Sequence, residues 1–186
     1  GYERGLAPGL LLLRKAKEDR IPEITYYGFT MDNCKRPKVQ QEAFRKACVD
    51  AVKMIEKEGG VSLLVVGDTD SPNFPKELLE YTVRKEIGIP HIRVNFLVNY
   101  GWEWDLKNME EKNPSRTLLS KIHSRDISRV DLVIRWGNMR RLSGMLPVQT
   151  VYADFYVVEH LWPDYCDEDF ENALRWYDKQ DVTLGG

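Results

Sequence analysis

Short apolar segments alternate along this chain with longer segments of helical periodicity, and this alternation strongly constrains the fold. Residues 61–66 (VSLLVV) are almost entirely apolar, which is typical of a strand buried on both faces of a sheet. Strand character also marks residues 23–29, 92–98, 131–135 and 154–158. Helical spacing of apolar residues marks residues 6–16, 38–57, 74–85 and 169–177. The pattern predicts an α/β fold, a single domain with a mostly parallel central β-sheet flanked by helices on both faces.

Composition excludes several classes of protein. The length of 186 residues suits one domain of ordinary size, and 11% aromatic residues are too many for a disordered chain. The 27 basic and 29 acidic residues give a net charge of −2, which removes the electrostatic case for nucleic-acid binding. Apolar runs such as residues 10–13 are far shorter than a membrane span of about 20 residues. Three scattered cysteines suggest reduced thiols in a cytoplasmic protein.

A first polar cluster follows the first predicted strand at residues 29–37 (FTMDNCKRP). In open α/β sheets, ligands bind beyond the carboxyl ends of the strands, so this segment is a candidate for the mouth of a pocket. A structural alternative stays open. Asp32 or Asn33 would then cap the long helix, and Pro37 would open its first turn.

A second polar cluster follows the fourth predicted strand and favours an anion. Residues 135–144 (RWGNMRRLSG) hold three arginines, one serine and two glycines. Guanidinium groups bind phosphate oxygens bidentately, and glycines let backbone amides approach an anion. Residues 145–148 could begin a helix whose amino terminus points at the same anion. The alternative is a solvated basic loop, which Arg135 argues against because it directly follows the apolar residues of a strand.

Asp154 lies close in sequence to this predicted anion site. It could pair with an arginine, or it could hold Mg²⁺ against a diphosphate, and spacing alone does not decide between them. The acidic residues between positions 164 and 171 are interpreted as the start of the last helix, where they suit its dipole. The three histidines lie far apart and show no ligand spacing.

Taken together, these segments resemble the cis-prenyltransferases, the family of undecaprenyl diphosphate synthase. Residues 24–37 resemble the family motif Leu-Tyr-Ala-Phe-Ser-x-Glu-Asn-Trp-x-Arg-Pro, and residues 135–143 resemble Arg-x-Gly-Gly-x-x-Arg-x-Ser. Residues 146–164 are similar to the Leu-x-x-Gln-x-x-Tyr-Ala-Glu…Leu-Trp-Pro-Asp signature that follows it. Residues 1–5 resemble Gly-His-x-x-Gly, and residues 99–101 repeat an Asn-Tyr-Gly triplet. The likeness therefore runs through the whole chain.

The resemblance implies a reaction and a set of partners. The family condenses isopentenyl diphosphate onto an allylic diphosphate such as farnesyl diphosphate, uses Mg²⁺, and holds the growing chain in an apolar tunnel. Candidate tunnel residues are Ile92, Val94, Phe96 and Val98. A homodimer is expected, and so is a cytoplasmic location with peripheral membrane contact, because a long prenyl product is lipid-soluble.

The resemblance also implies roles for single residues. The diphosphate of isopentenyl diphosphate would be bound by Arg135, Arg141 and Ser143. Asn33 and Arg36 would lie near the reacting groups, and Asn33 could assist proton removal. Further substrate-binding residues would be Thr30 and Tyr2. Asp154 stands where the family has a glutamate that coordinates Mg²⁺.

Departures from the family pattern keep two alternatives open. The family's Asp-Gly-Asn motif, which carries its main Mg²⁺ ligand, is expected before residue 1, so the domain at residues 1–186 is predicted to lack it. Tyr2, Cys34 and Met139 replace a histidine, a tryptophan and a glutamate. Val182 and Thr183 stand where the family has arginines. The alternatives are a non-catalytic subunit of a heteromeric cis-prenyltransferase and an enzyme making short or irregular prenyl products.

Overall fold

The computed structural model describes residues 2–110 and 117–181, apart from the side chains of residues 2 and 110. The helices are α1 (Leu6–Glu18), α2 (Lys38–Glu58), α3 (Trp102–Leu106), α4 (Leu118–Lys121) and α5 (Asp167–Tyr177). The strands are β1 (Glu23–Thr30), β2 (Val61–Val66), β3 (Lys85–Ile87), β4 (Ile92–Tyr100), β5 (Leu132–Arg135) and β6 (Asp154–Val157). Single 3-10 turns cover Tyr2–Gly5, Met31–Lys35, Lys76–Tyr81, Lys107–Glu110 and Trp162–Asp164. All five predicted strands are therefore present.

The strands form two sheets. The first has the order β1-β4-β2-β3, in which β1, β4 and β2 run parallel and β3 pairs antiparallel with β2. The second consists of β5 and β6, which also run parallel. All six residues of β2 are buried, as its continuous apolar run predicts for a strand covered on both faces. The mostly parallel sheet expected from the sequence is confirmed.

The two sheets share the same two hydrophobic cores, one on each face. The first core includes Leu13, Val52 and Phe29, and the second includes Leu97, Tyr100 and Leu146. In β1, Tyr26 packs into the first core and Tyr27 into the second, because successive side chains of a strand point to opposite faces. In β5, Ile134 and Val133 divide between the two cores in the same way. The second sheet therefore continues the layer of the first, with β5 on the β1 side, although no ladder joins β1 to β5 among the described residues.

Long helices cover one face of this layer. The core on that face includes apolar residues of α1, α2 and α5, and α1 contacts both of the other two helices. The opposite face was also expected to carry helices. It is covered instead by the short helix α3 and by irregular segments around residues 127–130 and 142–146. None of the described helices is long and apolar enough to cross a membrane.

The helix predicted at residues 74–85 is wrong. This segment forms the 3-10 turn Lys76–Tyr81 and then enters β3. In a 3-10 helix, side chains three residues apart eclipse one another, so Leu78 and Tyr81 are both buried within one short turn. Arg84 follows the turn and directly precedes β3. Its guanidinium donates to the Ser62 carbonyl of β2 at 2.9 Å and to Asn95 Oδ1 of β4 at 2.7 Å, which fixes this segment to the sheet.

Two local predictions near the polar clusters also fail. Residues 145–148 form turns rather than the start of a helix, because Leu146 has a φ of +42°, outside the helical region. Neither Asp32 nor Asn33 caps α2. The helix begins at Lys38, directly after Pro37, without a side-chain cap. The acidic start of the last helix is confirmed, with three acids in the first turn of α5.

Candidate active site

The basic cluster after β5 forms one connected group. Arg135 is half-buried and donates from Nη1 to Ser143 Oγ at 3.4 Å. Burial lowers the pKa of Arg135, and the nearby positive charge of Arg141 lowers it further. Arg135, Arg141 and Ser143 therefore lie together, and we call them the arginine cradle. The spacing of residues 135–143 predicted this grouping.

The loop of the arginine cradle departs from regular backbone at several points. Asn138, Ser143 and Leu146 have φ values of +56°, +52° and +42°, which are uncommon for residues other than glycine. The start of the loop is held to the segment after β6, because the Gly137 and Asn138 amides donate to carbonyls there at 2.7 and 3.0 Å. Such conformations persist only where the surroundings hold them.

Tyr27 of β1 holds this loop from the neighbouring strand. Its hydroxyl donates to the Ser143 carbonyl at 2.8 Å. Burial raises the pKa of Tyr27 to about 12, the Asp32 carboxylate acts in the same direction, and Arg135 opposes them. The hydroxyl therefore lies within electrostatic range of both polar clusters. Sequence reasoning missed Tyr27, because Tyr26 and Tyr27 read alike as strand residues.

The first polar cluster forms a closed turn after β1. The Thr30 amide donates to Asn33 Oδ1 at 3.0 Å, and the Asn33 amide donates to Thr30 Oγ1 at 3.3 Å, which makes a reciprocal capping box. Gln41 of α2 donates to the carbonyls of Cys34 and Arg36 at 2.8 and 2.6 Å. The turn is therefore fixed at both ends.

Arg36 lies at the exposed edge of this turn. Its guanidinium stands over the ring of Phe44, 5.3 Å from the centroid. This cation–π contact positions an exposed cation next to the start of α2. The structure thus brings Thr30, Asn33 and Arg36 together at the carboxyl end of β1.

A buried carboxylate, Asp105, is linked by hydrogen bonds to the loop of the arginine cradle. Asp105 of α3 is fully buried and accepts hydrogen bonds from Tyr100 Oη at 2.7 Å, Ser124 N at 2.8 Å and Ser124 Oγ at 2.7 Å. The Leu146 amide also interacts with the Tyr100 hydroxyl, whose pKa is raised chiefly by burial and then by Asp105. Gln149 donates to Ser124 Oγ at 2.8 Å. Asp105 therefore ties β4 and α3 to the loop that carries Ser143.

Close packing explains the motif residues at the ends of the central strands. A methyl group at Gly67 would overlap the Val98 carbonyl, so only glycine fits after β2. Asn99, with φ of +51°, donates from Nδ2 to the Asp68 carbonyl at 3.1 Å. Its Oδ1 also contacts Cys34 Sγ at 3.6 Å. These residues hold the strand ends together beneath the first polar cluster.

Asp154 lies away from the arginine cradle. In the register of the second sheet, Leu132 pairs with Asp154 and Arg135 pairs with Val157. At about 3.3 Å per residue, this places Asp154 roughly 10 Å along the strand direction from Arg135. The pKa of Tyr177 in α5 is raised mainly by burial and further by the negative charges of Asp131 and Asp154. Both carboxylates therefore lie near α5. The structure does not bring Asp154 and the cradle together within one chain.

Comparison with known proteins identifies the family. The family model for undecaprenyl diphosphate synthases matches residues 1–185. The chain belongs to this family of cis-prenyltransferases. It is 31% identical over 179 residues to a tritrans,polycis-undecaprenyl-diphosphate synthase (geranylgeranyl-diphosphate specific) of Aeropyrum pernix, covering 89% of this chain and 77% of that protein. It is 29% identical over 208 residues to a ditrans,polycis-undecaprenyl-diphosphate synthase ((2E,6E)-farnesyl-diphosphate specific) of Escherichia coli K12, covering 100% and 81%.

Two solved structures share the cis-prenyltransferase fold. One is a probable undecaprenyl diphosphate synthase from Campylobacter jejuni, with a TM-score of 0.81, 24% identity, and coverage of 98% of this chain and 92% of that one. The other is lavandulyl diphosphate synthase from Lavandula x intermedia, with a TM-score of 0.85, 19% identity, and coverage of 100% and 88%. At these identities the likeness shows the fold alone.

Within the described residues, this cis-prenyltransferase chain does not build a metal site by itself. No group of three or more His, Cys, Asp or Glu side chains is placed to hold a metal ion there. His160, one of the three histidines, pairs with Asp169 at 2.8 Å instead. Asp154, the predicted Mg²⁺ ligand, has no such group around it, so these side chains do not fit a complete Mg²⁺ site.

Some residues of the family likeness fall outside the described part of the chain. They are Gly1, the side chain of Tyr2, Val182, Thr183 and the final two glycines. The roles suggested for them, including substrate binding by Tyr2, remain predictions.

Proposed function

We propose that this chain condenses isopentenyl diphosphate with an allylic diphosphate, such as farnesyl diphosphate, to make a cis-polyprenyl diphosphate. The observation that carries the proposal is the arginine cradle at the carboxyl end of β5. Family membership supports the same reaction, because two relatives are named as specific for geranylgeranyl and farnesyl diphosphate.

The arginine cradle would hold the diphosphate of isopentenyl diphosphate. Arg135 and Arg141 supply two forked cations, and Ser143 supplies a hydroxyl beside the first of them. Two like charges held near each other favour a multivalent anion between them. Partial burial of Arg135 strengthens its attraction to that anion, because the local dielectric is lower than in water.

The turn after β1 would face the reacting carbons. Condensation forms a bond between the two prenyl units, breaks the bond from the allylic carbon to its diphosphate, and releases a proton from the isopentenyl group, which the departing diphosphate can accept. Asn33, held in its capping box with Thr30, is a rigid polar group suited to assist that proton's departure. Arg36 is an exposed cation at the same turn and would attract the allylic diphosphate. Thr30 would contribute to substrate binding through its place in the turn.

We also propose that the reaction requires Mg²⁺. Mg²⁺ commonly accompanies diphosphate substrates and neutralises a departing diphosphate, and Asp154 is the carboxylate we propose for it. Because the described side chains do not complete such a site, no step above passes through the metal. Loss of turnover with EDTA and its return with Mg²⁺ would test the requirement.

We also propose a homodimer in the cytoplasm with peripheral membrane contact. Trp162 does not supply the dimer face, because it packs inside the chain against Trp136 and donates to the Gly5 carbonyl at 2.9 Å. Exposed Val151 and Tyr152, before β6, are the better candidates for that face. Sedimentation equilibrium of the Tyr152→Ala variant would test this surface.

The test of the reaction is incorporation of labelled isopentenyl diphosphate with several allylic diphosphates and Mg²⁺. Arg135→Ala should lower turnover at least a hundredfold, since loss of one such electrostatic contact costs about 3 kcal/mol. Arg14→Ala is the matched control, because Arg14 pairs at the surface with Glu58, the last residue of α2, which leads into the amino end of β2. Equal activity of Arg135→Ala and wild type would contradict the proposed site. No product with any allylic diphosphate would favour a non-catalytic subunit.

A further inference from the structure

An exposed tryptophan lies beside the arginine cradle. Trp102 is the first residue of α3, and its side chain is 49% exposed. It packs against Gly144, since a methyl group there would come within 2.8 Å of the Trp102 ring. Gly144 directly follows Ser143 of the cradle, so the indole ring borders the predicted diphosphate site.

Met31 extends the same apolar surface toward the first polar cluster. Its side chain is 36% exposed and lies against Gly101, where a methyl group would collide with the Met31 sulfur. Gly101 directly precedes Trp102. Met31 and Trp102 thus lie at neighbouring positions between the turn after β1 and the arginine cradle, and we call the two side chains the Met31–Trp102 shelf.

The exposure of Trp102 is not explained by packing within the chain. Trp104, two residues later, is packed into the second core, where its ring stacks on His123 at 4.2 Å and contacts Tyr100. Trp104 therefore anchors α3 while Trp102 stays on the surface. Ligand sites typically combine apolar or aromatic side chains with a few placed polar groups, and Trp102 has both beside it.

We infer that the Met31–Trp102 shelf binds the hydrocarbon part of the isopentenyl diphosphate whose diphosphate the cradle holds. The inference rests on the proposed function, and it makes Trp102 a residue that determines specificity for the substrate. The substrate is a diphosphate ester of a short branched hydrocarbon, so a site for it needs cations beside an apolar surface. An indole face and a thioether suit such a group through contact area and polarisability. The shelf is contiguous with the cradle through Ser143 and Gly144.

Two probes separate the shelf from the cradle. Isopentenyl diphosphate carries both the diphosphate and the hydrocarbon, whereas inorganic pyrophosphate carries only the anion. Binding of each would be measured by titration calorimetry in the same Mg²⁺-containing buffer. Trp102→Ala should weaken isopentenyl diphosphate binding about tenfold and change pyrophosphate binding less than twofold. Trp102→Phe should restore most of the affinity.

Controls keep this inference distinct from the proposed function. Ile89→Ala shortens an apolar residue that is 80% exposed between β3 and β4, at the end of β4 opposite Trp102, and should change neither affinity. Arg135→Ala should weaken both ligands. Equal losses for both ligands in Trp102→Ala, or no loss, would overturn the shelf while leaving the cradle intact. Undiminished binding of both ligands by Arg135→Ala, or no binding by the wild type, would overturn the cradle and the shelf with it.

Discussion

Replacing Asp105 by alanine removes the acceptor shared by three buried donors. The carboxylate is fully buried, and it receives the hydroxyl of Tyr100 and both the amide and hydroxyl of Ser124, all within 2.8 Å. No water replaces a lost partner easily at such depth. The change therefore leaves polar groups buried without partners, which is one of the few mechanisms that destabilise a protein severely.

The size of the effect follows from the number of donors. Each buried donor left without an acceptor costs about 1–3 kcal/mol, and the removal of a buried charge offsets part of the sum. We expect Asp105→Ala to lower the free energy of unfolding by about 4 kcal/mol. For a chain of this size, 1 kcal/mol corresponds to roughly 2–4 °C, so the melting temperature should fall by about 8–16 °C.

Urea unfolding followed by circular dichroism measures this change. Asp105→Asn keeps one oxygen acceptor and should lose about half as much stability. Asp50→Ala is the matched control, because Asp50 pairs with Lys46 on the surface of α2, and its loss should stay within about 0.5 kcal/mol. A loss below about 1 kcal/mol for Asp105→Ala would refute the reasoning that these donors depend on one carboxylate.

Hydrogen exchange would show where the effect is transmitted. Since Tyr100 connects Asp105 to the Leu146 amide, the amides of residues 143–150 should exchange faster in Asp105→Asn than in wild type. Amides of β2, which lies in the centre of the first sheet, should keep their protection. Uniform acceleration across the chain would indicate global destabilisation instead of a local brace.

Three further predictions follow from single contacts. Tyr27→Phe removes one hydrogen bond to the loop of the arginine cradle, so the KM for isopentenyl diphosphate in steady-state assays should rise about two- to tenfold with kcat unchanged. Hydrogen bonds from Tyr81 and then Lys85 lower the pKa of Glu56, so its stabilisation is complete above about pH 4.3 and is lost as pH falls further. Glu56→Gln should flatten that acid limb in denaturation curves, by less than about 1 kcal/mol because the Lys85 and Glu56 side chains are 39% and 34% exposed and solvent screens the pair. In thiol titration at pH 8, exposed Cys166 should react at once and Cys48, whose pKa burial raises to about 12, only after unfolding.

Local pattern was enough to predict the strands and the two polar clusters. The nearly continuous apolar run at residues 61–66 predicted a strand buried on both faces, and every residue of β2 is buried. The arginines and serine of residues 135–143 were predicted to share an anion site, and Arg135 and Ser143 are in contact. Both signals are local, because each depends on residue types within one short segment.

The residues that sequence reasoning missed depend on contacts between distant segments. Tyr27 and Ser143 are separated by 116 positions, and nothing in either segment indicates that a hydroxyl of one meets a carbonyl of the other. The sequence around Asp105 does not indicate that this carboxylate is buried. Its burial depends on hydrogen bonds from the hydroxyls of Tyr100 and Ser124. The helix predicted at residues 74–85 failed for a similar reason, since pairing with β2 draws its last residue into β3.

The two tyrosines explain how the cradle can be ready for an anion before one binds. Ser143 and Leu146 both adopt left-handed backbone, which an isolated loop would abandon at a gain of about 1 kcal/mol or more each. The Tyr27 hydroxyl holds the Ser143 carbonyl, and the Tyr100 hydroxyl contacts the Leu146 amide, with the two rings packed edge to face at 6.0 Å. Because a site that is already ordered loses less free energy on binding its ligand, the conformational cost is met during folding and not each time a diphosphate binds. Tyr27 and Tyr100 thus act as positioning residues, because they fix the backbone that places Ser143 beside Arg135.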